Sequence, residues 1–152
     1  RTGSTNHGCT IIVSSKKLCS DLLEIGILPQ KTLHTISIHD KIPTKFCADY
    51  WRGVLDGDGY LGYSSGHKYP EIGLCGDIDV IESFREFCCR TIGIEYVPKI
   101  SKPSKIFYVR YGSCNAAKIT DFLYSGAHVF LDRKYRLANE FISLPRYSGL
   151  EG

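Results

Sequence analysis

The pattern of apolar residues predicts an α+β fold: from residue 44 onward the order is helix, two strands, helix, two strands, then two helices. Such a chain forms a four-stranded antiparallel sheet with its helices on one face. Three observations carry this reading. Apolar residues recur at helical spacing in 44–57 and 79–92, and two pairs of β-rich runs are each joined by a short polar turn. In addition, Tyr108 and Arg110 stand opposite in parity to Phe107 and Val109, so one side of the sheet can be core while the other stays free.

Ahead of this unit, Thr10, Ile11, Ile12 and Val13 make a β-branched run. Ser14 and Ser15 are then candidate N-caps for a helix through Leu18, Leu22, Leu23 and Ile25, stopped by Gly26 and Pro29. Residues 30–43 read as a connection. Thr44 caps the next helix, in which Phe46, Tyr50, Gly53, Val54 and Gly57 share one side while Cys47, Trp51 and Leu55 line another, so two buried faces are expected. After Asp56-Gly57-Asp58-Gly59, residues 60–65 and 69–75 form a hairpin through Ser65-Gly66-His67-Lys68. Asp79 opens a long helix carrying Val80, Ile81, Phe84, Phe87, Cys88 and Ile92, which closes at Gly93. Strands 96–101 and 106–111 follow, joined by Lys102-Pro103-Ser104-Lys105. Helices 116–124 and 132–143 end at Ser125-Gly126 and before Pro145.

Composition bounds the function without choosing it. The chain has 152 residues, 43% hydrophobic and 23% charged, with a net charge of +3, which fits a globular protein and tolerates a polyanionic partner. No apolar run reaches membrane-helix length, and Arg1 to Gly8 lack the order of a secretory signal. An intracellular protein of the cytoplasm or an organelle matrix, without membrane contact, is expected. The seven cysteines, at 9, 19, 47, 75, 88, 89 and 114, include no Cys-x-x-Cys pair and read as reduced, mostly buried fillers. His7, His34, His39, His67 and His128 show no metal-ligand spacing. With no methionine and Arg1 in first place, the chain is expected to be a piece of a longer product.

A partial repeat supports that expectation. Residues 20–26, Ser-Asp-Leu-Leu-Glu-Ile-Gly, resemble residues 120–126, Thr-Asp-Phe-Leu-Tyr-Ser-Gly, and Lys31 falls after the first as Lys134 does after the second. Residues 1–43 then read as the tail of a preceding copy plus a linker, and residues 44–152 as a complete copy.

The segment Trp51-Arg52-Gly53-Val54-Leu55-Asp56-Gly57-Asp58-Gly59 carries the chemistry. Gly53 and Gly57 lie four apart on one helix face, where small residues let a second helix approach backbone to backbone. Asp58 comes as the helix ends, where the partial negative charge of the last carbonyls adds to its carboxylate and favours a divalent cation. Two such helices side by side would bring two carboxylates to one scissile region. The bland alternative is a helix-terminating turn. An EF-hand loop starting at Asp56 is excluded, because Leu61 and His67 occupy its glycine and glutamate positions.

This segment resembles the signature of the LAGLIDADG homing endonucleases, with Gly53, Asp56, Gly57, Asp58 and Gly59 on the family pattern and Trp51 and Arg52 bulkier than usual. The element order is similar to the family's αββαββα half, whose four strands form a DNA-binding saddle. The resemblance implies a site-specific double-strand DNA endonuclease encoded in a mobile intron or intein. Such an enzyme hydrolyses phosphodiesters with Mg²⁺ (or Mn²⁺) across the minor groove and leaves short 3′ overhangs. It implies Asp58 as metal ligand and catalytic residue, and Lys134, with Lys31 in the partial copy, as basic assistants to the attacking water. Asp77 would be a polar residue near that water. Taken alone, Lys134 reads as a solvated lysine of Arg133-Lys134-Tyr135-Arg136, and Asp77 as a helix cap.

The implied partner, besides double-stranded DNA, is a second LAGLIDADG half, either a missing N-terminal half or an identical chain. Tyr60, Ser64, Lys68, Lys99, Lys102, Lys105, Tyr108 and Arg110 lie on the strands and hairpin tips of the expected saddle and are the candidate DNA contacts. The alternative is a DNA- or RNA-binding module that does not cleave, such as an intron maturase or a nuclease-derived regulator.

Overall fold

The computed structural model describes residues 12–27, 41–64, 69–102 and 105–144. Helix α1 (Lys16–Glu24) starts at Ser15, whose hydroxyl accepts the Leu18 N–H at 3.2 Å. It closes at Gly26, whose φ of 99° lets Gly26 N bond Leu23 O and Ile27 N bond Leu22 O, a Schellman end. Ile12 and Val13 are not in a strand, and none of the residues of α1 is buried.

A 3₁₀ turn, Thr44–Phe46, leads into α2 (Cys47–Asp58), and β1 (Gly59–Tyr63) begins on the next residue. Glycine makes that abrupt exit possible. A β-carbon at Gly59 would stand 2.6 Å from Leu55 O and 2.8 Å from Leu55 Cα, closer than a side chain can approach. Then come β2 (Pro70–Gly76), α3 (Ile78–Arg90), β3 (Phe107–Gly112), α4 (Ser113–Tyr124) and α5 (Asp132–Ser143). Helix α4 starts three residues earlier than the sequence pattern predicts. Strand passes to helix without a loop, and Ser113 takes the left-handed φ of 55° needed to turn the corner.

The sheet is antiparallel and mixed with helices as expected, but it has three strands, in the order β1-β2-β3, and not four. The expected strand at 96–101 is reduced to one bridge, in which Ser101 and Tyr108 exchange N–H···O bonds of 2.9 Å. Pro98 explains the loss: it has no N–H to give to a ladder, so pairing fails in the middle of the run.

Alternation along the strands sends Leu61, Ile72, Leu74, Val109 and Tyr111 inward, against Trp51 and Leu55 of α2, Ile81, Phe84 and Phe87 of α3, Ile119 and Leu123 of α4, and Phe141 of α5. The Trp51 ring lies 5.1 Å from Phe84 and 5.6 Å from Phe87, and Phe84 meets Tyr111 edge-on at 6.2 Å. Helix α2 therefore buries one face rather than two. Its other side is open among the described residues, where a β-carbon placed on Gly53 or Gly57 would meet nothing within 4 Å. Trp51 and Arg52, the bulky departures from the motif, both point inward and leave the glycine side clear.

The cysteines divide differently from expectation. Cys47 and Cys88 are buried, and burial pushes the Cys88 thiol up to about 12, whereas Cys19, Cys75, Cys89 and Cys114 are exposed. Among the described residues no helix is long and apolar enough to cross a membrane.

Phe84→Ala is expected to lower the unfolding free energy by about 3–5 kcal/mol, the usual cost of removing a buried aromatic ring. Because Trp51 is the sole tryptophan, its emission in a urea titration reads this packing, and the variant should show a lower midpoint and a red-shifted native spectrum.

Candidate functional site

Helix α2 ends at one corner of the sheet, and every connection around that corner holds the end in place. Asp56 accepts the Tyr124 hydroxyl at 2.7 Å on Oδ1 and the Leu131 N–H at 2.8 Å on Oδ2, so one carboxylate ties α4 and the start of α5 to α2. Arg52, buried, works in the opposite direction. Its Nη1 donates to Leu123 O at 2.7 Å, its Nε to Val129 O at 2.8 Å, and its Nη2 pairs with Asp49. The guanidinium thus takes a carbonyl at the end of α4 and another from the segment that leads to α5. The same segment and the α2 face of Ala48, Arg52 and Gly53 enclose an open groove of about 830 Å³, with Phe122, Val129 and Leu131 on its wall.

Lys134 is completely buried, not solvated. Its Nζ donates to Leu55 O, to Asp56 O at 3.1 Å and to Gly59 O at 2.7 Å, so its three N–H bonds all go to carbonyls at the end of α2. The ammonium offsets the negative pole of the helix beside Asp58, which leaves that corner less negative than a bare helix end. Burial holds Lys134 below the ordinary lysine value, and Arg133 pushes the same way, while Asp56, Asp58 and Cys75 oppose them.

Asp58 is the last residue of α2 and is exposed; its carbonyl accepts the Cys75 thiol at 3.1 Å. Asp77 occupies the N-cap position of α3 without a side-chain capping bond, two residues beyond Cys75 in the chain. The same corner thus gathers Asp58, Cys75 and the buried Lys134. Among the described residues no group of three or more His, Cys, Asp or Glu side chains is arranged to hold a metal ion. Asp58 offers a single exposed carboxylate. This suits Mg²⁺ only as part of a shell completed by water, substrate phosphate oxygens and a second carboxylate.

The outer face of the sheet runs from this corner. Register pairs Tyr60 with Gly73 and Gly73 with Arg110, and Cys75 with Tyr108, so these residues share the outward side with Glu71. Tyr60 is 49% exposed. Lys99, Lys102 and Lys105 are exposed near the Ser101 bridge, at the β3 edge of the sheet; the Lys102 ammonium lies 4.4 Å from the ring centroid of Phe107, which has the parity of the inward Val109. Ser64 sits at the far end of β1, where its N–H bonds Tyr69 O at 2.8 Å. Lys31 and Lys68 lie outside the described residues.

Sequence reasoning missed Arg52, Asp56, Glu71 and Cys75. The last two were findable, because Glu71, Gly73 and Cys75 are opposite in parity to the buried Ile72 and Leu74. Arg52 and Asp56 bond to residues about 70 positions away, which spacing does not reveal. No family model, curated protein or solved structure matches the chain.

Lys134→Met is expected to destabilise the fold by roughly 3 kcal/mol, because it leaves buried carbonyls without their charged donor. The pH dependence has a definite sign. The folded chain holds this proton less tightly than the unfolded one, so unfolding takes up a proton between the lowered value and the ordinary 10.5. In urea melts, wild-type stability should therefore rise relative to Lys134→Met as the pH is raised across that interval.

Proposed function

We propose that this chain is one half of a LAGLIDADG-type site-specific DNA endonuclease, with α2 as its pairing helix, Asp58 as its metal-binding carboxylate and the outer sheet face as its duplex-binding surface. The observation that carries the reading is the arrangement around α2. One helix presents an open Gly53–Gly57 face and ends in an exposed Asp58, at the corner where a basic-edged open sheet begins. A second helix seated on those glycines would set its own carboxylate beside Asp58. That partner is another copy of this chain or a homologous half. The three-stranded sheet is a smaller surface than the family's four-stranded saddle, and residues 93–102 lie alongside it as irregular chain.

Mg²⁺ bound between the two carboxylates would neutralise phosphate charge and supply an activated water for hydrolysis. The chain's own contribution is positional. Lys134 fixes the end of α2 and hence the direction in which Asp58 leaves it, and Asp56 and Arg52 hold the α4–α5 connection against the same helix. Tyr60 offers an exposed hydroxyl-bearing side chain, and Lys99, Lys102 and Lys105 offer charge to a phosphate backbone.

A second reading, a nucleic-acid-binding module that does not cleave, is favoured by one observation. All three Lys134 N–H bonds are taken by backbone carbonyls, which leaves none for a water or a phosphate.

Light scattering combined with plasmid nicking in Mg²⁺, on this chain and on Asp58→Asn, separates the two. The endonuclease reading expects a dimer that nicks, with nicking reduced to background in the variant while salt-sensitive duplex binding survives. Duplex binding by a monomer that does not nick, equal in both proteins, favours the binding module over an endonuclease that pairs with its own copy. Absence of salt-sensitive binding contradicts both.

A further inference from the structure

On the outer face of β2 and β3, Arg110 and Glu71 form an ion pair: Nε stands 3.0 Å from Oε1, and Nη1 donates to Oε2 at 3.1 Å. The Glu71 side chain is 13% exposed and that of Arg110 is 53% exposed, so the carboxylate lies low on the sheet and the guanidinium above it. The Tyr108 ring supports the guanidinium at 5.0 Å, and Gly73, the register partner of Arg110, puts no side chain in its way. Glu71 takes one hydrogen bond from the guanidinium, through Nη1, and Nη2 makes none among the described residues.

We propose that Glu71 is a positioning residue that aims Arg110 at a base edge, and that Arg110 reads one guanine in the major groove of the bound duplex. The inference rests on the reading of this face as a duplex-binding surface and adds the residue pair that confers sequence preference. Charge decides between the two kinds of DNA contact. An arginine that serves phosphates is most useful with its charge uncompensated, because counterion release supplies the binding energy. Arg110 is neutralised by its own carboxylate, and the carboxylate would itself repel a phosphate. What the pair keeps is a planar set of donors in a fixed direction, the feature that matches the O6 and N7 acceptors of guanine. Lys99, Lys102 and Lys105, exposed at the β3 edge of the sheet, suit the phosphate role instead. An exposed ion pair with only a structural role adds little stability, and it predicts no effect on which duplexes are bound.

The test is selection of duplexes from a randomised DNA pool by the full chain, followed by salt titration of the selected and pool duplexes. It is run on wild type, Glu71→Gln, Arg110→Ala and Arg110→Lys, with circular dichroism to establish folding. Wild type should select a G·C pair at one position. All three variants should lose preference at that same position by on the order of tenfold. Glu71→Gln should also bind pool DNA more tightly, with a salt slope steeper by about one phosphate, because it frees a positive charge. Arg110→Ala should bind pool DNA less tightly than wild type, because it leaves the Glu71 carboxylate unpaired on the same face. A wild-type chain that binds with salt sensitivity, and whose preferences survive in folded Glu71→Gln and Arg110→Ala, overturns this proposal alone. A wild-type chain with no salt-sensitive duplex binding overturns the underlying reading and the proposal with it.

Discussion

The ammonium of Lys134, buried beneath the end of α2, is the contact on which the arrangement of this protein depends. A helix that passes into a strand without a loop leaves its last carbonyls without intrahelical partners, and here they point into the protein rather than into water. A lysine brought in from α5 satisfies carbonyls on both sides of the helix-to-strand junction. The junction consequently tolerates the tight exit at Gly59. Asp58, between the bonded carbonyls of Asp56 and Gly59, leaves the helix in a set direction, and β1 starts in register with β2. Burying a cation is costly unless it is fully hydrogen-bonded, so the site holds only while all of these acceptors stay in place.

The two sides of α2 then have separate duties. Cys47, Trp51 and Leu55 attach the helix to the domain, and Arg52 and Asp56 spend their polar groups on the α4–α5 connection. With Trp51, Arg52 and Leu55 turned inward, the outer side can carry bare glycine, in line with the exposed Asp49 four residues before Gly53. Glycine costs up to about 1 kcal/mol against alanine within a helix. With nothing among the described residues packed on Gly53 or Gly57, that cost finds no compensation among them, which is the physical reason for expecting a second helix there. Helix α1 presents a similar imbalance: its end matches that of α4 in having a left-handed glycine, Gly26 beside Gly126, yet α4 is largely buried while α1 buries nothing.

Much of this was legible in the sequence. Helical spacing located α2, α3 and α5 to within a few residues, and the Ser15 cap and the Gly26 stop were readable because capping is local chemistry. Parity along 107–111 separated Val109 from Arg110 correctly. The fourth strand was over-read: β-branched and aromatic residues in 96–101 outweighed Pro98, although a missing N–H matters more to a ladder than side-chain propensity does. Lys134 shows a different limit. Its neighbours Arg133 and Arg136 make the helix look basic and solvated, and only the fold brings the end of α2, nearly 80 residues earlier, over that one position. The paired Glu71 and Arg110 were likewise separable by parity, but their meeting depends on the β2–β3 register, which the sequence does not print.

Amide hydrogen exchange of the chain with and without duplex DNA would locate the surface that meets nucleic acid. The account expects slowed exchange on β1 to β3 and across residues 96–108, with α3 unchanged on the far side of the sheet. Protection confined to α1 or α3, with the strands exchanging as in the free chain, would contradict it.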